Sequence, residues 1–213
     1  MKVAIIGATG FVGPKVVSEA ISRGHEVTAF ARQPEKLEIE DENLVKQSVD
    51  VLNTEILANL LVGHDAVIST FNAGWTNPNL YNDFLNGSRS IQAATKQAGI
   101  KRYITVGGAG SLFIHGMQLV DGPHFPAEYK PGATAARDYL NELRTENDLD
   151  WTFVSPAINL HPGTRTATFR LGTEEPVFNA EGKSEISAED LAVALLDELE
   201  KNQFVKQRFT LGY

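Results

Sequence analysis

Gly7, Gly10 and Gly13 recur three apart in the run Lys2-Val-Ala-Ile-Ile-Gly7-Ala-Thr9-Gly10-Phe11-Val12-Gly13. Glycine at such a turn lets backbone approach a phosphate with no Cβ in the way. A helix starting immediately afterwards offers unpaired N–H groups and the positive end of its dipole. Strand, turn and helix together make a cradle for the pyrophosphate of a dinucleotide, with Thr9, Phe11 and Val12 in its wall. A cation is the second signal. At the end of the next strand, Ala29-Phe30-Ala31-Arg32, a carboxylate would hold a ribose 2′-hydroxyl, whereas a positive charge would hold a 2′-phosphate. Arg32 offers a planar fork, Lys36 adds a charge about one turn on, and Glu35 reads as solvated. The expected cofactor is therefore NADP in preference to NAD.

Further candidates fall at strand ends. Asp50, followed by Val51, is placed either to accept a hydrogen bond from the adenine amino group or to cap a turn. Thr70, Phe71 and Asn72 follow a fourth strand, Val106 and Gly107 end a fifth, and Pro156 and Ala157 follow a sixth, near the expected nicotinamide. For proton chemistry the candidates are Ser111, His115, His124 and Tyr129, all on the Gly- and Pro-rich segment 107–132. Histidine is the residue type that most readily carries protons near neutral pH, and a long irregular segment in a compact domain is usually functional. Each also has a plain reading as a solvated or packing side chain. Trp75 and Phe113 suit either a stacked planar acceptor or the core.

These residues need a scaffold of alternating strands and helices. Val3 to Ile6 form an apolar run suited to a central parallel strand. Val12, Val16 and Ala20, with Val17 and Ile21, trace the inner face of a helix. Pro14 is tolerated only in the first helical turn, which places the helix start near Phe11, and Gly24 closes it. Strands follow at 26–30, 43–49, 65–70, 102–106 and 151–155, and helices at 54–62 (introduced by Asn53), 80–98 and 133–147. Beyond Pro156 the pattern predicts a hairpin strand near 165–171, a helix over 188–201 and a last strand at 207–211. Ser187 and Asp190 resemble a capping box, a structural role for Asp190. The alternation implies an α/β fold: a Rossmann-like doubly wound parallel sheet, helices on both faces and a small C-terminal extension. One domain spans 1–213, with 157–213 forming the substrate-side wall.

Composition narrows the partners. A net charge of −8 over 213 residues, with no basic cluster, argues against nucleic acid. The absence of cysteine excludes disulfides, thiolate catalysis and cysteine-ligated metals. The apolar run after Lys2 is too short for an export signal, and no stretch matches a membrane span. The expectation is a cytoplasmic monomer or homodimer with a small-molecule partner.

The runs Gly7-Ala-Thr-Gly10-Phe-Val-Gly13, Phe30-Ala-Arg32-Gln-Pro-Glu-Lys36-Leu, Val49-Asp50-Val51, His64-Asp65-Ala-Val-Ile-Ser and Ser155-Pro156-Ala resemble the atypical short-chain dehydrogenase/reductases. Within them the chain is most similar to the biliverdin IX beta reductase and NAD(P)H-flavin reductase group. Val106-Gly-Gly-Ala-Gly-Ser111-Leu and Phe125-Pro-Ala-Glu-Tyr129-Lys130-Pro point to its bacterial NADH-flavin reductase branch. The resemblance implies reduction of a flavin or a related conjugated acceptor such as a quinone. Two departures qualify it. Most short-chain dehydrogenases use a Tyr with a Lys four residues on, but Tyr103, Tyr129 and Tyr139 are followed there by Gly107, Ala133 and Leu143. The serine of biliverdin IX beta reductases falls on Gly107 or Gly108 and their histidine on Ala157, so biliverdin is not supported as substrate. The missing pair also suits an NmrA-like NADP-binding sensor, and weighs against a sugar-nucleotide epimerase or dehydratase.

Overall fold

Val3, Ala4, Ile5 and Ile6 are all fully buried, because their strand lies between two layers of helix and has no solvent face. In the computed structural model, which describes all 213 residues, this strand is β1 (Lys2–Ile6). It is followed by α1 (Gly13–Ser22), β2 (Glu26–Ala31), β3 (Leu44–Ser48), α2 (Thr54–Leu61), β4 (Ala66–Ser69), α3 (Leu80–Gln97) and β5 (Arg102–Val106). Next come a small hairpin of β6 (Phe113–Ile114) and β7 (Met117–Gln118), α4 (Lys130–Leu143) and β8 (Asp150–Ser155). The chain finishes with β9 (Asn159–His161), β10 (Arg170–Gly172), β11 (Glu185–Ser187), α5 (Ala188–Lys201) and β12 (Gln207–Gly212).

The main sheet runs β10-β12-β8-β5-β4-β1-β2-β3, parallel throughout except at the edge strand β10. Strand order reverses between β1 and β4, the switch point at which a doubly wound Rossmann sheet leaves a crevice outside its carboxyl ends. Val3 and Ile5 join α1 and α5 in one core layer, while Ala4 and Ile6 join α2, α3 and α4 in the other. At the opposite end of the sheet, buried Arg102 of β5 pairs with Glu198 of α5 (2.6 Å) and donates to the Thr152 hydroxyl (2.8 Å). That end is closed by polar side chains and the carboxyl end is left open. No helix is long and apolar enough to cross a membrane.

Several elements depart from expectation. Helix α1 starts at Gly13 with Pro14 in its first turn, two residues after Phe11. Helix α4 starts at Lys130 and ends at Leu143, because Pro131 fits its first turn as Pro14 fits that of α1. The strand expected at 165–171 is reduced to Arg170–Gly172, because the segment before it is tied down by side chains. Asp190 accepts the N–H groups of Thr166 and Ala167 (both 2.8 Å), and Arg165 pairs with Glu19 of α1. Ser187 does cap α5, its Oγ accepting the Asp190 N–H at 3.0 Å. The Asp190 carboxylate does not return the bond; it accepts from the Tyr213 hydroxyl (2.8 Å) instead.

Candidate functional site

The three glycines of the first turn do three different jobs. Gly7 has φ +82°, and a Cβ there would lie 2.9 Å from the Thr70 carbonyl, so only glycine lets the β1 and β4 ends meet. The Thr70 hydroxyl reinforces that junction by donating to the Ile6 and Gly7 carbonyls at 3.0 and 3.1 Å. Gly13 seats α1 on the turn, since a Cβ there would come within 2.2 Å of the Gly7 oxygen. Around Gly10 the only atom within 4 Å of a built Cβ is the Gly7 oxygen, at 3.3 Å. Its bare surface therefore faces the cleft rather than the core. The N–H groups of Phe11, Val12 and Gly13 have no protein acceptor. Unpaired donors at the start of a ten-residue helix are an arrangement that suits an anion.

A cleft of about 560 Å³ opens beside this turn. Its wall contains Gly7, Thr9, Gly10, Phe11 and Val12 from the turn, and Arg32, Asp50 and Val51 from the β2 and β3 ends. Thr70, Phe71, Asn72, Val106, Gly107 and Pro156 complete the predicted set found there. Three predicted residues lie elsewhere. Gly13 packs behind the turn, Lys36 sits in a short 3₁₀ turn (Pro34–Lys36) outside the wall, and Ala157 is 2% exposed in the core beside α5.

Arg32 forms no ion pair. Its backbone is pinned by the Ser48 hydroxyl, which donates to the Arg32 carbonyl at 3.1 Å. Arg32 is exposed at the end of β2, and its guanidinium is free for an anion. Asp50 has a turn-capping role and also lies in the cleft wall. One carboxylate oxygen accepts the Leu52 N–H (3.0 Å) and caps a turn, while the residue still lines the cleft.

At the far end the lining is apolar and the expected proton carriers are absent. Ser111 is 1% exposed, with its hydroxyl accepting from Arg208 Nη1 at 3.1 Å. Buried Arg208 also bonds Ser155 and forms an ion pair with Glu174, so Ser111 belongs to a clamp between segments. His115 occupies a left-handed turn position (φ +51°) between β6 and β7, outside the cleft wall, and His124 is an exposed residue outside it too. Phe113 lies in β6 and its N–H bonds Glu174, again away from the wall. Tyr129 is half exposed and does not line the cleft. It meets Trp75, which does, edge to face at 5.5 Å. Gly107 and Gly108 differ sharply: a Cβ at 107 would lie 1.8 Å from the Phe153 ring, whereas at 108 it would meet only the Ala136 methyl at 3.9 Å.

Sequence reasoning missed Leu160, Asn77 and Asp83 in the wall. Leu160 arrives through β9, a three-residue strand paired with β11 more than twenty residues away, and nothing local marks it. Asn77 and Asp83 had a legible sign, the Asn-rich run 72–79 typical of Asx turns.

A family model described as NAD(P)H-binding matches residues 7–202. The protein YwnB of Bacillus subtilis, described as uncharacterized, is 37% identical over 215 residues, covering 99% of this chain and 98% of its own. A crystal structure from Bacteroides thetaiotaomicron, called a "putative epimerase", is 43% identical with TM-score 0.93 over 100% of this chain and 96% of that one. Another from Streptococcus pneumoniae, called a "putative NADH-flavin reductase", is 40% identical with TM-score 0.86 over 100% and 99%. With the glycine cradle, the crevice at the switch point and a match over nearly its whole length, this chain belongs to the NAD(P)H-binding family.

Proposed function

We propose that the protein is an NADPH-dependent reductase that passes a hydride directly to a planar conjugated acceptor of the flavin or quinone class. The observation that carries this reading is the pairing, in one cleft, of an unpartnered Arg32 with the free N–H groups of Phe11 and Val12 on the glycine turn. Together they suit a pyrophosphate and a 2′-phosphate. The nicotinamide supplies the hydride when bound. The chain's part is to hold its phosphates, to keep the Val106, Gly107 and Pro156 end of the cleft apolar and to orient the acceptor there. The acceptor gains a hydride from the dinucleotide and a proton from solvent, so no side chain is required as an acid. That accords with Ser111, His115 and His124 lying outside the cleft wall. The name of the S. pneumoniae relative supports the flavin class but specifies NADH; the free Arg32 favours the phosphorylated dinucleotide here. A cytoplasmic location, with its supply of reduced nicotinamide, belongs to the same reading.

The test is to follow oxidation of NADPH and of NADH with FMN, FAD and a panel of quinones, alongside binding titrations. Turnover preferring NADPH is the expected result. Tight binding without turnover on any acceptor would overturn the reductase reading in favour of a dinucleotide sensor that signals through a protein partner.

A further inference from the structure

Trp75 is 57% exposed, an unfavourable setting for the largest aromatic side chain unless something covers it. It is nevertheless held firmly. Its six-membered ring rests on Gly132 in the first turn of α4, where a Cβ would lie 2.9 Å from Trp75 Cζ3. The Tyr129 ring closes its flank at an interplanar angle of 86°.

The loop that carries it is braced from within. The Asn72 side chain accepts the Gly74 N–H at 2.7 Å, and the Asn77 amide donates to the Ala73 carbonyl (3.2 Å) and to Asp83 (2.8 Å). Asn79 holds the other oxygen of Asp83 at 2.7 Å. Asp83 and Asn77 border the cleft, yet their polar groups are spent on fixing this loop. A large ring presented to the cleft by a braced loop is a preorganised stacking surface.

We propose that Trp75 is the stacking wall of the acceptor subsite, that Tyr129 is a positioning residue acting through it, and that the acceptor is therefore a fused planar ring system. This inference rests on the reductase reading above. An isoalloxazine and a naphthoquinone share the required flat π-face, and the experiment separates them.

The chain has two tryptophans. Trp151 is 3% exposed, with its indole N–H bonded to the Glu146 carbonyl, so Trp75 is the reporter accessible to a stacked ring. The full chain with saturating NADP⁺ is titrated with FMN and, separately, with a naphthoquinone, following tryptophan fluorescence. Wild type, Trp75→Phe and Trp75→Ala are compared, and FMN affinity is also read from the flavin's own fluorescence polarisation. Saturable quenching is expected in wild type and is lost in W75F, which keeps a stacking ring and binds FMN within about threefold of wild type. W75A weakens binding of whichever acceptor class is used by about tenfold, and NADP⁺ affinity stays unchanged in both variants. Tyr129→Phe, which keeps the ring, matches wild type, while Tyr129→Ala lowers acceptor affinity without removing the quench.

If acceptor binds wild type and W75A equally, the Trp75 assignment falls and the reductase reading stands. If NADP⁺ binds and neither acceptor binds wild type, both fall.

Discussion

The turn side of the cleft and the segment from Gly107 to Pro131 use their residues in opposite ways. On the turn side the chemistry belongs to backbone: free N–H groups, a helix end and a glycine surface, each fixed by packing behind it. In the 107–131 segment the reactive side chains are turned away or used as fasteners, Ser111 by Arg208 and His115 by a tight hairpin. A phosphate cradle depends on backbone path, which glycine spacing encodes directly. A serine or histidine in a loop says little about which way it will point.

That contrast can be broken most decisively at Gly10. Gly10→Val is expected to abolish dinucleotide binding while the protein stays folded, because the new branches enter the cleft and not the core. Calorimetric titration beside a thermal melt decides it; normal binding would mean the cradle lies elsewhere. Arg32→Glu comes next, lowering NADPH affinity by about 100-fold and NADH affinity by less than about threefold. Equal losses for both dinucleotides would remove Arg32 from the 2′-phosphate site.

Across the cleft, Ser111→Ala should leave kcat within about twofold and cost about 1 kcal/mol of stability in a denaturant titration, as one bond to buried Arg208 is lost. A large drop in kcat would restore Ser111 as a catalytic group. The smallest effect lies outside both regions. Burial pushes the Glu146 carboxyl up, but the Asp148 N–H, Lys96 and the Gln92 amide outweigh it and hold the group down at about 2. A carboxyl depressed by folding stabilises the protein above its unfolded value and loses that contribution as pH falls through the folded one. Glu146→Gln should therefore lower the denaturation midpoint at neutral pH, with the difference closing toward pH about 2 and no change in cofactor affinity. A gap that persists in acid would show that the ion cluster contributes nothing.

The sheet was legible because its strands are short apolar runs between turn residues, and β2, β5, β8 and β12 match within a residue or two at either end. Most of the cleft wall was legible for the same reason, since strand ends in this topology converge by geometry. What escaped notice depends on distant partners. β9 and β11 exist through each other, and segment 162–168 is shaped by Asp190 and Glu19 rather than by its own pattern. The β6–β7 hairpin did carry a local sign. His115-Gly116 supplies two left-handed residues between Phe113-Ile114 and Met117-Gln118, the signature of a two-residue turn. Weighing His115 for chemistry obscured its value as backbone.

The Phe153 ring lying over Gly107 bears on which related activities this chain could acquire. A serine introduced at 107 meets an occupied volume, so a hydroxyl at that point requires Phe153 to shrink first, and the two changes would be strongly non-additive. One residue later the space is open, and Gly108→Ser is accessible in a single step. Adjacent glycines thus set very different evolutionary distances to an added side chain: 107, in the cleft wall, is closed by Phe153, whereas 108, outside that wall, has room toward Ala136.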